Sequence, residues 1–76
     1  MLWVVAGCLF EVSFPTDGGP WRWAESRAEV TLLAEDRRDG HHHFRFRAEQ
    51  PGRVELLFSG PEPVTVTVHI APERLA

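Results

Sequence analysis

Histidine is the first residue type here with an obvious chemistry. The chain carries His41-His42-His43 and, farther on, His69. On an extended strand His41 and His43 fall on one face, a spacing at which two imidazoles can share Zn²⁺, Cu²⁺ or Ni²⁺. A structural zinc site takes four ligands, usually with cysteine, and the single cysteine, Cys8, sits in an apolar run. The other reading of the run is a solvated cluster following a charged turn. His69 alternates against Val66, Val68 and Ile70, so it is expected on an outer sheet surface. A reactive Cys8 needs a neighbouring His or Arg to hold its thiolate, and nothing in the sequence places one there. Free cysteine in an apolar run acts as a small hydrophobe, and one cysteine makes no internal disulfide. Glu11, Glu25, Glu29, Glu35, Glu49, Glu55, Glu62 and Glu73 include no pair with the differing environments that acid–base catalysis requires. They are expected on solvated faces, as partners for Arg45, Arg47 and Arg53. Trp21 and Trp23 have two readings. They are either an exposed aromatic pair at a loop rim, offered to a protein or a sugar, or caps on the core. The expectation is a non-enzyme without a cofactor.

These residues must be positioned by a very small scaffold. The chain has 76 residues, 8.6 kDa and a formal net charge of −3. That is room for one domain, residues 1–76, and it excludes two-domain cofactor enzymes. With 43% hydrophobic residues there is enough apolar material for one core. All eight basic residues are Arg; Lys, Asn and Tyr are absent, a bias typical of a GC-rich genome. The acidic balance argues against a nucleic-acid partner, which would want clustered positive charge. No apolar run reaches the roughly 18–20 residues of a membrane-spanning helix. Val5-Ala6-Gly7-Cys8 reads like the end of a lipoprotein signal, but Met1 to Gly7 lacks the positive charge and the length. The chain as written is therefore expected to be cytoplasmic, and periplasmic or lipid-anchored if the true start lies upstream.

The hydrophobic pattern has period two. Leu2 to Ala6 is a short apolar run. Cys8, Phe10, Val12 and Phe14 then share one face, and residues 15–20 (Pro-Thr-Asp-Gly-Gly-Pro) form the strongest loop signal. Ala28, Val30, Leu32 and Ala34 predict another inward face, and residues 35–40 (Glu-Asp-Arg-Arg-Asp-Gly) a charged turn. Phe44, Phe46 and Ala48 follow, then Val54, Leu56 and Phe58, then Val64, Val66, Val68 and Ile70. Only Trp23 to Asp36 competes as a helix, and its Val30-Thr31-Leu32-Leu33 centre suits a strand better. The expected fold is all-β: a small immunoglobulin-like β-sandwich of six to seven short antiparallel strands.

Parity around Pro51-Gly52 adds a constraint. A two-residue hairpin there would pair Ala48 with Glu55 and Phe46 with Leu57, turning the two apolar faces to opposite sides. A bulged loop would restore parity. The favoured solution is an arch from one sheet to the facing sheet, which lets both runs point inward.

Three stretches carry a resemblance. They are Leu2-x-Val4-x-x-Gly7-x-x-x-Glu11-Val12-x-Phe14-Pro15, Gly18-Gly19-Pro20-Trp21-Arg22-Trp23, and Gly40 through Phe46-x-Ala48 to Gly52 and Phe58. Together they resemble the chagasin-type inhibitors of papain-like cysteine proteases, bacterial members included. Those proteins open with two strands around a Gly and leave the first loop through an aromatic-x-Trp. The resemblance implies a disulfide-free β-sandwich that pushes three loops from one end into a protease cleft, reversibly and without catalysis. It implies a papain-like protease as partner. Thr16, Asp17, Gly18, Gly19 and Trp21 would form the first loop, Gly40 and His41 the second, and Gly60, Pro61 and Glu62 the third. The first loop here has one Thr and no Asn, and the third keeps Pro61 without the family's Arg and Trp. The chain is also short between Trp23 and Gly40. The alternative is a non-catalytic binding or structural module, including a homo-oligomer that covers its edge strands.

Overall fold

The computed structural model describes residues 1–16, 20–23 and 27–73. Six strands follow in order: β1 (Leu2–Val5), β2 (Leu9–Pro15), β3 (Val30–Arg38), β4 (His41–Ala48), β5 (Gly52–Phe58) and β6 (Val64–Ala71). They form two three-stranded sheets, ordered β1-β6-β5 and β2-β4-β3. The β-sandwich expectation holds. One detail is corrected: β1 pairs with β6 in parallel, while the other three pairings are antiparallel. The second sheet has the B-E-D order of an immunoglobulin sandwich, and β5 and β6 stand for its F and G. Among the described residues, the place of strand C is held by a single bridge, Arg22 with Ser59, closed by two backbone hydrogen bonds of 2.8 and 2.9 Å.

Alternation accounts for the core. Val12 and Phe14 from β2, Phe44, Phe46 and Ala48 from β4, Val54, Leu56 and Phe58 from β5, and Val68 and Ile70 from β6 are all buried. Phe58 lies 4.9 Å from Phe14 and 5.1 Å from Phe44, ring centre to ring centre, which ties the two sheets together. Each such ring contributes about 1.5–3 kcal/mol through burial alone. The chain arches between sheets after β4, the favoured of the two solutions to the parity conflict, and Gly52 makes the turn with φ of 135°.

Three local expectations fail. Cys8 is exposed rather than inward-facing. The crossing from β1 to β2 turns at Gly7 (φ 91°), where the Cys8 amide bonds to the Val5 carbonyl at 3.0 Å. Cys8 thus belongs to the turn, and the inward alternation starts only at Phe10. Ala28 lies exposed in the turn before β3; within β3, Val30 is buried and Leu32 half-buried, but Ala34 is exposed. The register shifts between Leu32 and Ala34, and this bulge reverses the phase of the strand beyond it. The expected charged turn is mostly strand. β3 runs to Arg38, and only Asp39 and Gly40 turn, with φ of 54° and 73°. Two positive φ angles fit a type I′ hairpin, whose twist matches that of the flanking strands.

Candidate functional site

One end of the sandwich gathers three connections: the start of the β2–β3 connection, the β3–β4 turn, and the β5–β6 connection. Pro15, His41 and Arg38 share the last row of the sheet β2-β4-β3. The Thr16 amide bonds to the Gly40 carbonyl at 2.9 Å, joining the first two connections. Trp21 joins the first to the third. Its Nε1–H donates to the Pro15 carbonyl at 2.9 Å, and its ring stacks on Phe14 at 4.3 Å. Gly60 lies against the same indole, and a Cβ built there would meet the ring at 2.5 Å. Only glycine permits that approach.

Thr16, Trp21, Gly40, His41, Gly60, Pro61 and Glu62 therefore lie at one end, while Asp17, Gly18 and Gly19 lie outside the described residues. Of the two readings of the tryptophans, the packed one applies. Trp21 and Trp23 both pack against the core, Trp23 edge-on to Phe46 at 5.0 Å. Trp21 holds the loop end together from beneath. The second connection is blunt: Gly40 and His41 sit at a two-residue turn, with the exposed His41 Nδ1–H donating to the Asp39 carbonyl at 3.0 Å.

The histidine run divides. His41 and His43 share the outer face, as expected, with ring centres 6.1 Å apart. His43 Nδ1 lies 2.7 Å from Glu11 Oε1, and Arg38 reaches Asp36 at 3.3 Å and Glu11 at 3.7 Å. Among the described residues, no group of three or more His, Cys, Asp or Glu is placed to hold a metal ion. His42 departs from the solvated-cluster reading: it is 1% exposed and points inward. Its ring stacks on Phe44 at 4.3 Å, and Nε2–H donates to Glu35 Oε1 at 2.7 Å. The signal was present in the sequence, because His42 shares its parity with Phe44 and Phe46. His69 lies on the outer face, half-buried, stacked with Trp3 at 4.2 Å. That pairing follows from the parallel register of Trp3 with His69, which no local pattern shows.

Besides the cross-strand approach of Arg38 to Glu11, the arginine–glutamate pairs of Arg47 and Arg53 run along the chain rather than across strands. Arg53 lies 3.7 Å from Glu55, and Arg47 donates to Glu49 at 2.9 Å. The Arg47 hydrogen bond, then that of Thr31 at 2.6 Å, holds the Glu49 carboxyl below its ordinary value. The same pairing raises Arg47.

Two open clefts flank the loop end. One, of about 480 Å³, is lined by Thr16, Pro20, Arg37, Arg38, Gly40 and His41. The other, of about 560 Å³, lies between β3 and residues 20–23, and includes Trp21, Trp23, Arg22, Arg37 and Glu35 in its lining. No protein-family model matches the chain, and no curated protein matches it.

Proposed function

We propose that this protein is a non-catalytic β-sandwich that inhibits papain-like cysteine proteases reversibly, by seating its three-loop end in the active-site cleft. The observation supporting this reading is the convergence of the three connections, tied by Thr16 to Gly40 and by Trp21 to Pro15 and Gly60. Connections pinned in this way lose little conformational freedom on docking. Thr16, Gly40, His41, Gly60, Pro61 and Glu62 would meet the protease, together with Asp17, Gly18 and Gly19, and Trp21 would fix their spacing. The test is titration of papain with the purified chain. Competitive inhibition at micromolar concentration is expected, and its absence overturns the reading. Gly60→Val, which drives a branched side chain into the Trp21 ring, should weaken inhibition by about tenfold or more while the sandwich stays folded. Retained inhibition would mean that the loop geometry is not what binds.

A second reading, a binding module that associates with its own copies, is favoured by the β1 edge. Met1 to Ala6 has no charged side chain and no proline, and Met1 and Trp3 are 75% and 73% exposed. An edge without such protection can pair with the same edge of a second copy. Sedimentation at increasing concentration decides: a monomer throughout removes this reading.

A further inference from the structure

The cleft between β3 and residues 20–23 has an imbalance of charge and hydrogen-bonding groups that neither reading above uses. Beyond the bulge, the inner face of β3 presents Glu35 and Arg37, in register with Phe44 and His42. The facing wall is Trp21, Arg22, Trp23, Ser59 and Gly60. Arg22 is held in place by its two backbone bonds to Ser59. Among the described residues, the cleft is lined by two guanidinium-bearing residues and one acid. That acid, Glu35, already accepts from the buried His42 at 2.7 Å. Neither Arg22 nor Arg37 has an ion-pair partner among the described residues, whereas Arg38, Arg47 and Arg53 all do. Trp23, which also lines the cleft, has a buried Nε1–H with no acceptor among the described residues. Buried donors without acceptors are rare in folded proteins and call for a partner.

We propose that this cleft binds a peptide carboxylate, with Arg22 and Arg37 as the recognising cations and the indole-lined wall receiving the adjoining apolar part of the ligand. Guanidinium groups match a planar carboxylate with paired N–H donors, and such charge-assisted bonds are the strong ones. A cleft of about 560 Å³ accommodates a side chain and its neighbours. The carboxylate belongs either to an Asp or Glu side chain or to a chain terminus, and the chemistry is the same. The site adjoins the three-loop end but does not depend on protease inhibition.

The test is a ¹H–¹⁵N NMR titration of the full chain with three peptides: acetyl-Ala-Glu-Ala-amide, acetyl-Ala-Gln-Ala-amide, and acetyl-Ala-Gln-Ala with a free C-terminal carboxylate. At least one acidic peptide should saturably shift the Trp23 indole N–H and the Arg22 and Arg37 Nε–H signals. The neutral peptide should bind about tenfold or more weakly, the value of one charge-assisted bond. Which acidic peptide binds identifies the source of the carboxylate. Combined Arg22→Gln and Arg37→Gln should abolish the preference, while Arg45→Gln, on the outer face of β4, should leave it intact. Equal binding of all three peptides, no saturable binding to about 10 mM, or an unchanged preference in the double variant overturns the proposal. Core methyl signals report that each variant is folded.

Discussion

The β3–β4 ladder has two halves that share a sheet and differ in what β3 presents to the interior. Near Gly52, Val30 and Leu32 of β3 lie opposite Ala48 and Phe46, and the facing sheet supplies Val54 and Leu56. Near Gly40, the same strands present Glu35, Arg37 and His42 to the same side. The change occurs across one extra residue, Leu33, which is 42% exposed at the bulge. The apolar half is a packed interior. The polar half leaves a cleft open between β3 and the tryptophan segment. A sandwich this small thus changes character along its length, with a packed apolar interior at one end and an open polar cleft at the other.

The sharpest break of that division is in the apolar half. Phe46→Ala removes a fully buried ring that contacts Phe10, Trp23 and Phe58. It should cost about 3–5 kcal/mol in urea unfolding, most of the stability of a domain this size. A loss under about 1 kcal/mol would mean that the apolar half does not hold the fold. The corresponding change in the polar half should be far milder. His42→Leu replaces the buried imidazole by an apolar group of similar size and leaves Glu35, which is partly exposed, to water. Its stability should stay within about 1 kcal/mol of the parent. A larger loss would make the His42–Glu35 pair part of the core rather than of the cleft.

The smallest effect is at the surface of the apolar half. Glu49 has its folded value lowered by Arg47 and Thr31. Its contribution is therefore present above the unfolded carboxylate value and lost as pH falls through the folded one. Glu49→Gln should flatten the acid side of the stability–pH curve slightly and leave neutral pH nearly unchanged. A titration of the Glu49 carboxyl by ¹³C NMR that shows no depression would remove the effect.

The legible parts of this fold were those where local alternation and tertiary packing agree. Val64 to Ile70 reads as a strand and is one. The parity conflict at Pro51-Gly52 favoured a change of sheets over a bulged loop, and the chain does change sheets. The bulge at Leu33 was not legible, because alternation carries a phase, and one inserted residue reverses it without altering composition. Residues 35–38 looked like a turn by charge, yet pairing with His41 to Phe44 makes them strand. The candidate site was legible only in part. The loop residues were marked by Gly and Pro, but the contacts that gather them, Trp21 on Phe14 and Gly60 on Trp21, are long-range. Arg22, Glu35 and Arg37 gave no signal, since a cleft between a shifted strand and a one-bridge segment exists only in three dimensions.

The parallel union of β1 with β6 also determines how the molecule answers tension. Leu2 to Val5 lies beside Val68 to Ala71, and the Ala6 amide extends the ladder to the Ala71 carbonyl at 2.8 Å. A pull between residues 2 and 71 acts along these strands, so their bonds are loaded in shear and must yield together. The hairpins of β3 with β4 and of β5 with β6 could open one bond at a time, but they lie behind that junction. The first and last strands thus form a mechanical latch, and the sandwich stays shut under tension until the latch gives way.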